Sequence, residues 1–460
     1  MLIWRRNWLS KKICKHKKLS VIDGFLFLKE NEAGRNFMEK TDVRYQTYLN
    51  VLREELVPAM GCTEPVAIAY ACARVRDELG DLPDRAVLKV SGNIIKNVKS
   101  VVVPNTGGKK GIPAAAAIGF AVGHAKRQLQ VISQVTEEER EVMRELLENC
   151  PITVEPSDGE EIFEILVEGW RKESCVRVRI IRFHTNVVLV EKDGEILEEK
   201  SLKAEAPVEE EDLLTVRDIL DFADTADLED VKETLSRQIR FNTAIRDEGL
   251  TGKWGAAVGA TLLESWGNDV AVRARAAAAA GSDARMGGCE LPVIINSGSG
   301  NQGMTASLPV IEYAKELQSS EEELYRALLV SNLLTIHLKT GIGRLSAYCG
   351  AVSAGCAAGA AIAYLHGGGY EEVAHTLVNS LAVVSGIVCD GAKPSCAAKI
   401  ASAVDAGLLG WNMYRNGRQF YAGDGIVRKG VEETIQTVSR VGRNGMVDTD
   451  REILRIMTEE

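Results

Sequence analysis

Aromatic residues are scarce in this 460-residue chain, at 5% for Phe, Trp and Tyr together. Large rings therefore cannot supply most of the core. The 42 glycines and abundant alanines point instead to helices packed at close range and to backbone that approaches a ligand. Positive charge is in deficit too. With 55 Lys and Arg against 65 Asp and Glu the formal charge is −10, which argues against nucleic acid as the main partner. No stretch has the leucine-rich apolarity of a membrane span. Leu345 to Leu365 runs 21 residues without a charge and contains the small-xxx-small pattern Gly355–Gly359. Its residues are Ala, Gly and Ser, and it lacks an aromatic belt and a basic flank, so it reads as a helix buried inside a soluble protein. A pyridoxal phosphate site is missing as well, since no lysine stands in a recognisable phosphate-binding setting. The start does not read as an export signal either: MLIWRRNWLSKKICKHKKLS is basic, and VIDGFLFL is too short and too late for an h-region. The expected location is cytoplasmic.

What is present is a concentration of cysteine. Four of the ten fall between Leu345 and Cys396, as the pairs Cys349/Cys356 and Cys389/Cys396 with six residues between partners. A disulfide lattice belongs to small secreted domains, not to a large acidic chain. Two readings remain open on spacing alone. Cys is a small apolar residue that fills tight helix contacts, and it is also the thiolate that an iron–sulfur centre requires.

Globular patterning starts after Met38, and residues 1–40 read as a disordered basic extension. Apolar residues recur at helical spacing from Tyr45 to Leu56. GCTEP follows, with Thr63 as N-cap, Pro65 in the first turn and a helix running to Leu79 before Gly80. Cys62 then precedes a helix N-terminus, where amide dipoles lower a thiol pKa; a cysteine that merely sits in a turn is the alternative. Residues 87–103 read as two strands, AVLKVSG and VKSVVVP. NTGGKKGIPAAAAIG is a Gly-rich turn feeding a helix, suited either to an anion or to a plain connection. An amphipathic helix over 137–149 is followed by alternation over 152–200 with a hairpin turn at Asp193-Gly194, hence a small antiparallel sheet. EAPVEEED at 205–212 is an acidic linker, and the strand signal nearly vanishes beyond Leu213. Helical patterns cover 214–250, 252–266, 268–280, 304–318, 320–338, 345–365, 370–388 and 393–409. The fold class is α+β: an N-terminal α/β region over 41–205 and an all-helical domain over 213–460.

LPVIINSGSGNQG contains a literal G-x-G-x-x-G at Gly298, Gly300 and Gly303. A dinucleotide site would need a βαβ unit and an acidic residue about twenty positions on, and helix follows helix here instead. A loop presenting amides, Asn301 and Gln302 to a small anionic ligand fits better.

Taken in order, GCTEP (61–65), NTGGKKGIPAAAAIG (105–119), SDARMGG (282–288), NQGMTASLP (301–309), YCGAVSAGC (348–356) and CDGAKPSC (389–396) resemble the iron–sulfur-dependent L-serine dehydratase α-type superfamily. The resemblance is strongest to its L-cysteine desulfidase branch and covers essentially all of 40–440. It implies a serine-dehydratase-α-like domain over 213–460 and a [4Fe–4S] cluster held by Cys349, Cys389 and Cys396. Cys62 is implied as the catalytic base, not a fourth ligand, and Cys356 as a packing residue. The cluster ligands are then expected to converge in space, with Cys62 reaching them from the other end of the chain. The last two cysteines stand closer than in true serine dehydratases, and the Glu that follows the first cysteine there is absent here; both departures point away from serine.

The implied activity is β-elimination from L-cysteine to pyruvate, ammonium and hydrogen sulfide, with L-serine as the runner-up substrate. An open iron would act as a Lewis acid while a base removes the Cα proton. Asn105, Thr106, Gly107 and Gly108 in one loop and Asn301, Gln302 and Gly303 in another are the candidates to hold the substrate carboxylate. A non-catalytic iron–sulfur sensor is the alternative of another class, distinguished by whether sulfide and pyruvate are released. The expected partners are a small amino acid and a possible second copy of the chain, with no nucleic acid and no membrane.

Overall fold

The computed structural model describes residues 38–159, 161–200, 213–343 and 345–459. The basic extension and the acidic linker lie outside these residues. Met38–Glu460 forms one compact unit.

In its first half the chain runs α1 (Val43–Glu55), β1 (Pro58–Met60), α2 (Thr63–Leu79), β2 (Arg85–Val90), α3 (Gly92–Val98), α4 (Gly111–Val122) and α5 (Glu137–Asn149). Five strands follow: β3 (Ile152–Pro156), β4 (Glu164–Arg171), β5 (Ser174–Ile181), β6 (Val187–Lys192) and β7 (Glu195–Glu199). The sheet has the order β3-β2-β4-β5-β6-β7, with β2 parallel to β3 and every other pair antiparallel. Alternation places Val176, Val178 and Ile180 of β5 inward against α2 while Arg177 and Arg179 face outward.

Of the two strands expected over 87–103 only the first forms; the residues between them make a helix, α3, and VKSVVVP is a turn with the single bridge Val102–Lys110. Ile94 and Val98, four apart, form its buried face, and the amides of Ile94 and Ile95 bond back to Ser91 O. The partner that buries α3 comes from the chain's last helix: Leu454 packs on Gly92, and buried Lys96 pairs with Asp450. Such a partner, more than 350 residues away, leaves no local trace in the sequence.

The second half is helical: α6 (Val216–Thr225), α7 (Lys232–Gly249), α8 (Val258–Trp266), α9 (Val270–Met286), α10 (Gly300–Leu317), α11 (Glu321–Thr340), α12 (Gly350–Leu365), α13 (Tyr370–Val384), α14 (Cys396–Arg415), α15 (Val431–Arg440) and α16 (Val447–Thr458). The sequence patterns missed α15 and α16, and they began α8 six residues too early. The sole strand described here, β8 (Pro292–Ile294), pairs antiparallel with β1. A three-residue antiparallel ribbon excludes the βαβ unit that a dinucleotide site needs.

The charge-free segment is α12, buried from Ala351 to Ala363. No helix among the described residues is long and apolar enough to cross a membrane. Close packing explains its composition: a Cβ on Gly355 would lie 2.5 Å from Ala403 C, and one on Gly359 would lie 2.5 Å from Gly407 C. Helices α12 and α14 therefore touch backbone to backbone, and both begin at a cysteine.

Candidate active site

The ribbon β1–β8 aligns two turns that are 235 residues apart in sequence. β1 runs straight into Gly61-Cys62 and β8 into the Ser297–Gly303 loop. Gly61 adopts φ 63° with Pro104 stacked where a Cβ would stand, so only glycine fits. Thr63 Oγ1 donates to Gly298 O at 2.8 Å and locks the two turns together.

Cys62 is itself the N-cap residue of α2, one position earlier than the expected cap at Thr63. Its thiol is buried and donates to Glu64 Oε2 at 2.9 Å. Asn97 Nδ2, from α3, donates to Glu64 Oε1 at 3.2 Å. The expected low thiol pKa is not what this environment produces. Burial, and then the negative charge of Glu64, push the Cys62 thiol well above its usual value, and the Arg285 guanidinium only partly opposes them. Burial also acts on Glu64, yet its charge interaction with His184, the Cys62 donor and Arg285 together hold its carboxyl below the usual range. At neutral pH the pair is thus a thiol hydrogen-bonded to a carboxylate.

Cys62 shares a small buried cluster with Val101 and Met286, and Cys396 and Ala392 pack against it. Tyr348 and Val388 form an antiparallel bridge flanked by bonds from Cys349 N to Ile387 O at 3.1 Å and from Cys389 N to Ala347 O at 2.6 Å. Cys349 and Cys389 are therefore diagonal neighbours on one face of this bridge, an arrangement with Cα atoms typically ~7–8 Å apart. Cys396 opens α14, with its sulfur 3.5 Å from Gly391 O. All three are half-buried, whereas Cys356 is buried within the large apolar core of the helical half.

Burial, followed by the neighbouring Cys389 and Cys396, pushes the Cys349 thiol up to about 12. Basic groups surround the trio. Asp390 gathers Lys393 and Lys399, and Lys399 Nζ also donates to Val388 O at 2.8 Å.

Among the described residues, no three His, Cys, Asp or Glu side chains converge tightly enough to share one metal ion. A four-iron cluster makes a different demand, because each thiolate takes its own iron. Three half-buried thiols, two of them at helix N-termini, beside two lysines fit an anionic, thiolate-ligated group.

The two candidate substrate loops differ. Asn105 (φ 62°) spends its amide on Ile132 O at 2.7 Å, and its own carbonyl accepts from Arg140. Thr106 Oγ1 donates to Val103 O at 2.7 Å, and Gly107 and Gly108 form the exposed tip. The other loop leaves acceptors over: Asn301 Oδ1 and Gln302 Oε1 are buried without a hydrogen-bond partner. Asn301 Nδ2 lies 3.9 Å from Met286 Sδ, and the Gln302 carboxamide lies against Gly350, beside Cys349. These two neighbouring residues therefore reach from the Cys62 cluster to the start of α12. Gly303 packs tightly on Ile294 O.

Sequence reasoning assigned no role to Glu64, Asn97, His184 or Arg285. Glu64 and Arg285 stood inside the quoted GCTEP and SDARMGG motifs, which was the available signal. Asn97 and His184 carried none.

Residues 126–455 match the family model for the serine dehydratase alpha chain. A UPF0597 protein of Desulfitobacterium hafniense is 59% identical over 426 residues, covering 92% of this chain and 99% of its own length. A UPF0597 protein of Lachnoclostridium phytofermentans is 50% identical over 414 residues, with 90% and 99% covered. One from Treponema denticola is 47% identical over 425 residues, with 91% and 99% covered.

Proposed function

The chain belongs to the serine dehydratase alpha chain family, and on that premise we propose that it is an iron–sulfur-dependent lyase converting L-cysteine and water to pyruvate, ammonium and hydrogen sulfide. The observation that carries this reading is the approach of Cys62, hydrogen-bonded to Glu64, to the cluster against which Cys396 packs. Cys349, Cys389 and Cys396 would hold a [4Fe–4S] cluster. When bound, such a cluster supplies a Lewis-acidic iron that assists departure of the β-substituent.

The remaining work falls to the chain's own side chains. Glu64 takes the Cys62 thiol proton along their hydrogen bond, and the resulting thiolate removes the substrate Cα proton. This relay reconciles a buried, high-pKa thiol with a role as base. Asn97 keeps the carboxylate aimed at the sulfur. The Asn105–Gly108 turn uses its side-chain groups internally, so orientation of the substrate is assigned to Asn301 and Gln302. Elimination leaves an enamine that tautomerises and hydrolyses to pyruvate and ammonium. L-serine would follow the same course with water as the leaving molecule.

The test is anaerobic reconstitution with iron and sulfide, followed by parallel assays with L-cysteine and L-serine. Release of sulfide and pyruvate in equal amounts, faster than pyruvate from serine, is expected. Cys62→Ala should keep the brown absorption and lose most turnover, whereas Cys389→Ala should lose both. Bleaching of Cys62→Ala would make Cys62 a ligand and refute its assignment as base.

A further inference from the structure

Arg285 carries a buried positive charge that no carboxylate pairs at contact distance among the described residues, although Glu64 feels it. Its residue is 2% exposed. Nε donates to Gly61 O at 2.9 Å, and among the described residues the guanidinium makes no other hydrogen bond and no ion pair. Other buried cations are handled differently: Arg246 is matched by Glu312 and Asp247, and Lys96 by Asp450. Burying an unpaired charge is costly, so a site that keeps one is suited to an anionic group brought in from outside. The side chain is also fixed in direction. It leaves the last turn of α9 beside Met286 and crosses the start of α10, where a Cβ on Gly300 would lie 2.5 Å from its Nε. With Nε committed to the Cys62 turn, Nη1 and Nη2 remain as a planar pair of donors, the geometry that a carboxylate accepts.

The opposite polarity stands close by. The unpartnered oxygens of Asn301 and Gln302 are acceptors only, on the loop that Arg285 crosses. Donors without acceptors beside acceptors without donors match a zwitterion.

We propose that Arg285 anchors the α-carboxylate of the substrate while Asn301 Oδ1 and Gln302 Oε1 accept from its α-ammonium. The site then selects free α-amino acids by their two charges, whatever their β-substituent. This rests on the lyase reading for the identity of the substrate, but its test does not require turnover.

Calorimetry on the anaerobically reconstituted protein would compare L-alanine, which has no leaving group, with L-alaninamide, which lacks the carboxylate, and propionate, which lacks the ammonium. Wild type should bind L-alanine about 10–100-fold more tightly than either analogue, the range expected for a buried charge-assisted contact. Arg285→Gln should bring L-alanine to within about threefold of L-alaninamide, and Arg285→Lys should lie between. The cluster absorption of both variants should match wild type. Retention of the full preference by Arg285→Gln would overturn the assignment, as would equal binding of L-alanine and L-alaninamide by wild type. The wild-type comparison decides the matter even if Arg285→Gln does not fold. Failure of wild type to release sulfide or pyruvate would count against the lyase alone and leave the binding result standing.

Discussion

Cys62 Sγ lies 2.9 Å from Glu64 Oε2, a thiol donor on a buried carboxylate that Asn97 holds from its other oxygen. The pair has a testable two-sided consequence. Glu64→Gln removes the negative charge that raises the thiol, so the Cys62 pKa should fall, as read by the pH dependence of its alkylation rate followed by mass spectrometry. Turnover should nevertheless drop by roughly 10²-fold, the usual worth of a positioned proton acceptor. A variant with a lower thiol pKa and undiminished turnover would mean that Glu64 is no relay.

Backbone contact between α12 and α14 should couple packing to the cysteine trio, because Cys349 and Cys396 stand at the beginnings of these helices. Gly359→Ala places a methyl against Gly407, and overpacking of this kind costs about 1–3 kcal/mol. Urea unfolding should show that loss, and the reconstituted variant should retain less cluster absorption. Normal retention at reduced stability would show that the helix starts are positioned independently of the shared seam.

The C-terminal helix is tied to the site region through Lys96, which is 1% exposed and paired with Asp450. Asp450→Ala leaves a buried ammonium unpaired and should destabilise by roughly 3 kcal/mol, whereas Lys96→Met removes the charge and keeps the volume, so it should cost less. Since α3 also carries Asn97, limited proteolysis after Arg443 should accelerate in Asp450→Ala and turnover should fall with it. Equal stability of the two variants would show that the pair is not desolvated in solution.

Asp283 is buried at the end of α9 and accepts from Gly259 N at 2.9 Å. Burial raises its carboxyl from an ordinary value near 3.8 to about 6, against the pull of the nearby amides. The folded state therefore binds the proton more tightly than the unfolded chain. Its contribution to stability should fall as pH rises from about 4 to 6, and the cost should be fully present above that window. Urea midpoints of wild type and Asp283→Asn should diverge across the window, with the variant gaining relative to wild type towards pH 7. Parallel curves would refute the shift.

By itself the amino-acid sequence determined the α+β class, the antiparallel sheet, most helices of the second half and the buried character of the charge-free α12. These are properties of hydrophobic period, turn residues and composition, all of which act over a few neighbouring residues. It also marked Cys62, the C-terminal cysteines and the Asn301–Gln302 loop as the places where chemistry should be sought. Only the tertiary structure decided their surroundings. α3 formed between the two expected strands because α16 covers it, and Cys62 became a high-pKa donor because burial and Glu64 outweigh the helix dipole. Arg285 emerged as a buried cation without an ion pair because the distant Cys62 turn and the start of α10 close over it. Burial, charge pairing and backbone contact between remote segments depend on which surfaces meet, and no local pattern records that.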